Sequence, residues 1–174
     1  MTSPDQPRET PPLLHVGRPD EETPSDEVTM ARGWLQHLRD SALHKIEGLD
    51  DGLLRWAPAP TANSLGAIVM HLGYCERLWV RLFFAGEAMD QSWRAHMFEL
   101  PEGWSVDDVA AFYRQETAGA DAVLDAATSF DLPTASTARP TTLRWIVFHL
   151  IEETARHVGH MDITRELLDG STGR

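Results

Sequence analysis

A chain of 174 residues, 42% apolar and 24% charged, is long enough for one soluble domain with a real hydrophobic core. Its formal charge of −12, with Lys45 as the single lysine, excludes a phosphate-backbone surface, which needs clustered Lys and Arg. The single cysteine, Cys75, excludes an internal disulfide, and no run approaches the ~18 apolar residues of a membrane span. The opening "MTSPDQPRETPP" lacks the basic-then-apolar order of a signal peptide, so a cytoplasmic location is expected.

Residues 1–24 hold six of the eleven prolines and almost no periodic apolar pattern, as expected of a flexible N-terminal arm. Its one apolar stretch, "LLHV" at 13–16, is a spot able to dock on the body or on a partner subunit. The domain proper is expected over 25–174. A first helix starts near "PSDEVTM", with Ser25 as cap and Asp26 and Glu27 at the positive end of the helix dipole. Ala31, Trp34, Leu35, Leu38, Ala42, Ile46 and Leu49 then recur at helical spacing, until "GLDDG" stops the helix.

The proline-rich "RWAPAPTANS" leads to a second helix over about 63–85. Leu65, Ile68, Leu72, Cys75, Leu78, Trp79 and Leu82 form its apolar face, and His71 lies inside that run. Residues 86–104 read as irregular and aromatic, with Trp93, Phe98 and Trp104. "WSVDD" opens a third helix, with Ser105 as cap and Asp108 at the capping-box position, running to about 127. "SFDLPTASTARP" is a loop with room for a short extended piece, and the last helix spans about 141–169, ended by Gly170. Four long amphipathic helices without period-2 strand runs predict an all-α, four-helix bundle.

The chemistry concentrates in "HLIEETARHVGH" at 149–160. At about 100° per residue, with His149 at 0°, His160 falls near 20°, Glu153 near 40° and His157 near 80°. Leu143, Ile146, Leu150, Met161 and Thr164 fall between about 60° and 120°, whereas Glu152 and Arg156 lie off this stripe toward solvent. Burying a carboxylate among imidazoles is costly unless it is paired or holds a cation. A solvated helix edge with one or two core histidines is the plain alternative. Two ligands at i and i+4 do not make a metal site, so a third must come from a facing helix, and His71 is the natural one. Cys75, one turn beyond His71, is also within reach of a cation, although a free cysteine on an apolar helical face is ordinarily inert core. His37, His44 and His96 have no comparable cluster and read as surface or local packing residues.

Three stretches resemble the DinB superfamily, four-helix proteins of the DinB/YfiT type, in its actinobacterial branch of mycothiol-dependent transferases. They are "NSLGAIVMHLGYCERLWV", "RLFFAGE" and "LRWIVFHLIEETARHVGHMDITRELLDGSTG". The family pattern is one His on the second helix and His-x-x-x-His on the last. His71 matches the first position and His157 the last. The remaining position falls on Glu153, as in mycothiol-dependent maleylpyruvate isomerases, which show Glu-x-x-x-His. His160 falls where many members carry Gln, leaving Glu153 and His160 as alternatives for the third ligand. His149 becomes a packing or supporting residue.

The resemblance implies a divalent metal at His71, Glu153, His157 and His160, zinc first, with nickel, manganese or iron as alternatives. It implies a thiol S-transferase, with mycothiol as cosubstrate and an electrophile as the other small-molecule partner. Glu152, Arg156 or His160 is expected to orient that cosubstrate, and the sequence does not choose among them. The other readings are a non-enzymatic, stress-linked metal-binding bundle and a metal-dependent hydrolase. A homodimer is expected, with Trp79, Phe83 and Phe84 as contacts unless they are core beneath the 86–104 segment.

Overall fold

A computed structural model of the protein describes Pro19 and residues 25–172; apart from Pro19, the expected arm at 1–24, with its "LLHV" stretch, lies outside the described residues. Asp26 rather than Ser25 caps the first helix, α1 (Glu27–His44), by accepting from the backbone N–H of Thr29 at 2.9 Å. Its apolar spacing buries Ala31, Leu35 and Ala42, and Ile46 is buried in the turn beyond it, whereas Trp34 stays exposed. A short helix that the sequence did not announce, α2 (Asp51–Arg55), follows the "GLDDG" turn. Asp50 caps it, and Leu54 plugs it into the core.

Ser64 caps α3 (Leu65–Glu76), which runs on without a break into a π-helical segment, Arg77–Phe84. A π turn closes i→i+5 hydrogen bonds, as from the Ala85 N–H to the Val80 carbonyl at 3.0 Å. Each such turn holds more residues than an α turn, so the buried face slips along the sequence. Leu65, Ile68, Leu72 and Cys75 are buried as the 3.6-residue spacing requires. Beyond Glu76 the buried residues are Val80 and Phe83, while Leu78, Trp79 and Leu82 are half-exposed.

A 3₁₀ turn (Ser92–His96) buries Trp93 within the irregular segment. The capping box of Ser105 and Asp108 opens α4 (Val106–Ala126) as expected. Thr142 caps α5 (Leu143–Asp169), and Gly170 ends it with φ 76°, a left-handed conformation that glycine adopts at no steric cost. The loop before α5 carries its short extended piece as an isolated antiparallel bridge, Pro133 to Thr142, and no strand occurs among the described residues. The protein is an all-α bundle, and none of its described helices is long and apolar enough to cross a membrane.

Helix α5 packs on α1 and α3, and α3 packs on α4. Their apolar faces form two clusters: Ile68, Val69, Met70 and Leu72 of α3 join Tyr113 and Met161 in one, and Cys75 joins Leu35, Leu124 and Leu150 in the other. The turn from His71 to Cys75 therefore spans the seam between them. Gly73 on that turn lets α4 come close, since a Cβ there would lie 2.6 Å from Phe112 Cε1. Beside the apolar core runs a buried ionic network. Arg39 donates from Nε and Nη2 to the two oxygens of Glu76 at 2.7 and 2.9 Å, and from Nη1 to Asp121 at 2.8 Å. Glu116, also fully buried, accepts from Arg77 Nε at 2.8 Å and Arg81 Nη1 at 3.2 Å.

Of the aromatics expected at a dimer contact, Phe83 is buried, Trp79 packs on Phe83, Trp145 and His149, and Phe84 is half-buried. On α5, Trp145 and Phe148 stand about half exposed.

Candidate functional site

Helices α3 and α5 bring His71 against Glu153 and His157. His71 Nε2 lies 3.1 Å from Glu153 Oε1, and His157 Nε2 lies 3.3 Å from the same oxygen. Both rings thus aim the same nitrogen at one carboxylate oxygen, from two helices that sequence separates by more than eighty residues. The i, i+4 spacing of Glu153 and His157 puts them one turn apart on α5, and the side chains of all three are no more than 13% exposed. The second oxygen of Glu153 accepts from Arg156, whose guanidinium reaches in from solvent. Cys75 stands one turn after His71 on α3, with Sγ 3.4 Å from His71 Nε2. The ligand atoms of His71, Cys75 and Glu153 all lie within 4.8 Å of one another.

The protonation states follow from burial and neighbours. Burial holds His71 below the ordinary imidazole value; Glu153 pulls it upward and Arg156 pushes it further down. Burial likewise lowers His157, and His71 beside it adds to the shift. For Glu153, burial pushes the carboxyl up. The hydrogen bond from His71 and the positive groups around it, Arg156 among them, outweigh burial and leave it below the usual carboxylate range. Burial, with Glu153 and Glu76 close by, pushes the Cys75 thiol far up. Near neutral pH the cluster is therefore one carboxylate and two neutral imidazoles, which are the protonation states that a metal site needs. His157 Nδ1 is buried with no hydrogen-bond partner among the described residues, so Nε2 is the nitrogen whose interactions orient this ring.

Two of the histidines read from the same stretch stand apart from this convergence. His160 is exposed, its ring 5.6 Å from that of His157 and nearly perpendicular to it. His149 stacks on Trp145 at 4.9 Å and meets the edge of Trp79, a packing role as expected. The buried residues of α5 centre near 110° on the wheel, so His149 and His160 sit on its shoulder and only Glu153 and His157 turn inward. Glu152 and Arg156 are exposed as expected. His44 pairs with Glu47 at 2.9 Å and His96 with Glu99 at 2.8 Å, and His37 lies against Trp34, all local arrangements.

Sequence reasoning did not place Phe98. Its ring stacks on His71 with centroids 3.8 Å apart and planes 11° from parallel, and lies 6.0 Å from His157. An aromatic residue in an aperiodic segment carries no signal of which helix it will cover.

Residues 30–170 match the Mycothiol-S-transferase family. The chain belongs to that family. Two solved structures show the same fold. One is a conserved protein from Enterococcus faecalis, 16% identical with a TM-score of 0.63 over 85% of this chain and 100% of that one. The other is a DinB-like protein from Bacillus cereus, 20% identical with a TM-score of 0.60 over 82% of this chain and 95% of that one. No protein of curated function is significantly similar in sequence. Membership of the mycothiol S-transferase family and the DinB-like fold agree with the resemblance carried by the second and last helices.

Proposed function

We propose that this protein is a metal-dependent thiol S-transferase that joins mycothiol to an electrophilic carbon, at a site built on His71, Glu153 and His157. The observation that carries the reading is the convergence of two imidazole nitrogens on one partly buried carboxylate oxygen. Two neutral nitrogen donors and one carboxylate form a donor set that suits zinc, and three protein ligands leave a zinc ion an open position, the mark of a catalytic site. Imidazole and carboxylate also suit nickel, manganese or iron, and metal analysis of the purified protein decides among them.

A divalent ion bound there supplies the positive charge that keeps a thiol ionised at neutral pH. The chain supplies the rest. His71 and His157 present Nε2 from facing helices, and Arg156 takes the outer oxygen of Glu153, leaving the inner one turned toward them. Phe98 covers one face of His71 and keeps water from it. His160 and Arg156, at the exposed rim, are placed to meet the polar body of the cosubstrate. In the net reaction the cosubstrate S–H gives its proton to solvent, its sulfur bonds to the electrophilic carbon, and the leaving group departs with its electron pair. No protein nucleophile is required, in keeping with a chain that has one cysteine.

The test is conjugate formation by zinc-loaded protein with mycothiol and an alkylating probe. The expected result is conjugation well above the uncatalysed rate, lost in His71→Ala along with the metal. Conjugation no faster than the uncatalysed reaction overturns the transferase reading, and full metal content in His71→Ala overturns the site. Cytoplasmic location and homodimerisation accompany this reading as expectations, the second checked by sedimentation of the full chain.

A further inference from the structure

We propose that Cys75 is a fourth protein ligand of the ion in the cosubstrate-free protein. The site is then built from two i, i+4 pairs, His71 and Cys75 on α3 facing Glu153 and His157 on α5. This rests on the metal reading above and extends it to a residue outside the family's histidine and glutamate pattern.

The ordinary reading of a buried cysteine is a small apolar residue, and Cys75 does pack beside Leu35, Leu124 and Leu150 in the core. Three observations favour a ligand. Cys75 follows His71 by four residues, as His157 follows Glu153, so each helix presents two donors from one face. The sulfur sits 3.4 Å from His71 Nε2, the nitrogen that also faces Glu153. The ligand atoms of Cys75, His71 and Glu153 lie within 4.8 Å of one another, close enough to share one ion.

On ligation the thiol proton passes to solvent and a sulfur–metal bond forms. One thiolate and one carboxylate then balance the charge of a divalent ion. A sulfur donor also biases the site toward zinc-type ions and away from magnesium or manganese. Cys75 holds, in the cosubstrate-free protein, the position that the three-ligand reading leaves open, and the cosubstrate thiol takes its place there.

Because Cys75 is the only cysteine, any thiolate signal from an added metal must come from it. The experiment titrates metal-free full-length protein with cobalt(II), with no mycothiol and a phosphine as reductant, and records the electronic absorption spectrum. The expected result is one cobalt per chain with an intense near-ultraviolet sulfur-to-cobalt charge-transfer band. Cys75→Ser should bind one cobalt, more weakly, and lack the band. One bound cobalt in the unmodified protein with no such band overturns the role of Cys75 and leaves the His71, Glu153 and His157 site standing. A band that survives in Cys75→Ser also overturns it. Failure of the unmodified protein to bind cobalt overturns the metal reading and this inference together. Should Cys75→Ser not fold, cadmium NMR of the unmodified protein reads thiolate ligation without any substitution.

Discussion

Glu76 and Glu153 are two carboxylates on the facing helices α3 and α5, the first buried and the second partly buried, and their charges are met in different ways. Glu76 is gripped on both oxygens by Arg39, whose guanidinium stays charged at every accessible pH and is itself held by Asp121. Glu153 faces two imidazoles that burial keeps neutral, and the one permanent cation near it, Arg156, reaches in from the exposed surface. The first arrangement is complete and needs no further charge. The second concentrates lone pairs and a negative charge at one point, where a cation has a natural place. Carboxylates in this fold thus take a structural form and a chemical form, and what tells them apart is whether the arginine partner is itself buried.

The comparison can be tested by removing each element in turn. Arg39→Ala should produce the largest effect, about 3–5 kcal/mol of lost stability in denaturant unfolding, because it strands Glu76 and Asp121 without their shared cation. A loss below about 1 kcal/mol would show that water or a rearranged side chain can replace the guanidinium. Glu153→Gln should weaken metal binding by at least ~100-fold, or about 2.7 kcal/mol, because a neutral amide is a poor ligand. Its effect on the stability of the metal-free protein should be much smaller than that of Arg39→Ala, as measured by calorimetry of both forms.

Acid should also separate the two sites. In the folded, metal-free protein His71 and His157 lie below the ordinary value of 6.5, so below that pH the unfolded chain binds the extra protons. Stability should therefore be flat above about 6.5 and fall as pH drops through that value toward the folded ones. Glu153, held below 4.5, adds a further loss only at lower pH. In His71→Ala/His157→Ala the part of this decline attributable to the imidazoles should disappear from a pH series of thermal midpoints. The smallest effect belongs to Arg156→Ala, within about 1 kcal/mol of the parent, because Arg156 is half exposed and its ion pairs are screened. A larger loss would mean that Glu153 depends on Arg156 as Glu76 depends on Arg39.

Much of this was legible in the sequence, and the misses have physical causes. Ser105 with Asp108, Gly170 and the four long apolar periodicities located the major helices, because capping and helical spacing are local properties. The i, i+4 pair of Glu153 and His157 was legible for the same reason, and His71 stood out as a histidine inside an apolar run. Contacts across the bundle were not legible. Glu76 looks like any surface glutamate until Arg39, 37 residues away in sequence, is seen to hold it. Helix α2 is too short for periodicity to show. The stacking of Phe98 on His71 joins an irregular segment to a helix, and no local rule connects them.

The π-helical segment has a consequence for how this protein can vary. All the donors that α3 offers to the site lie before Arg77, where the widened turns begin. Those turns let the chain change its helical phase downstream of the site while His71 and Cys75 keep theirs. A residue gained or lost between Arg77 and Phe84 can be absorbed by converting one kind of turn into the other. The second half of this long helix can thus change its phase only in ways that keep Val80 and Phe83 in the core and Arg77 and Arg81 on Glu116, while the half that carries the chemistry stays in register with α5.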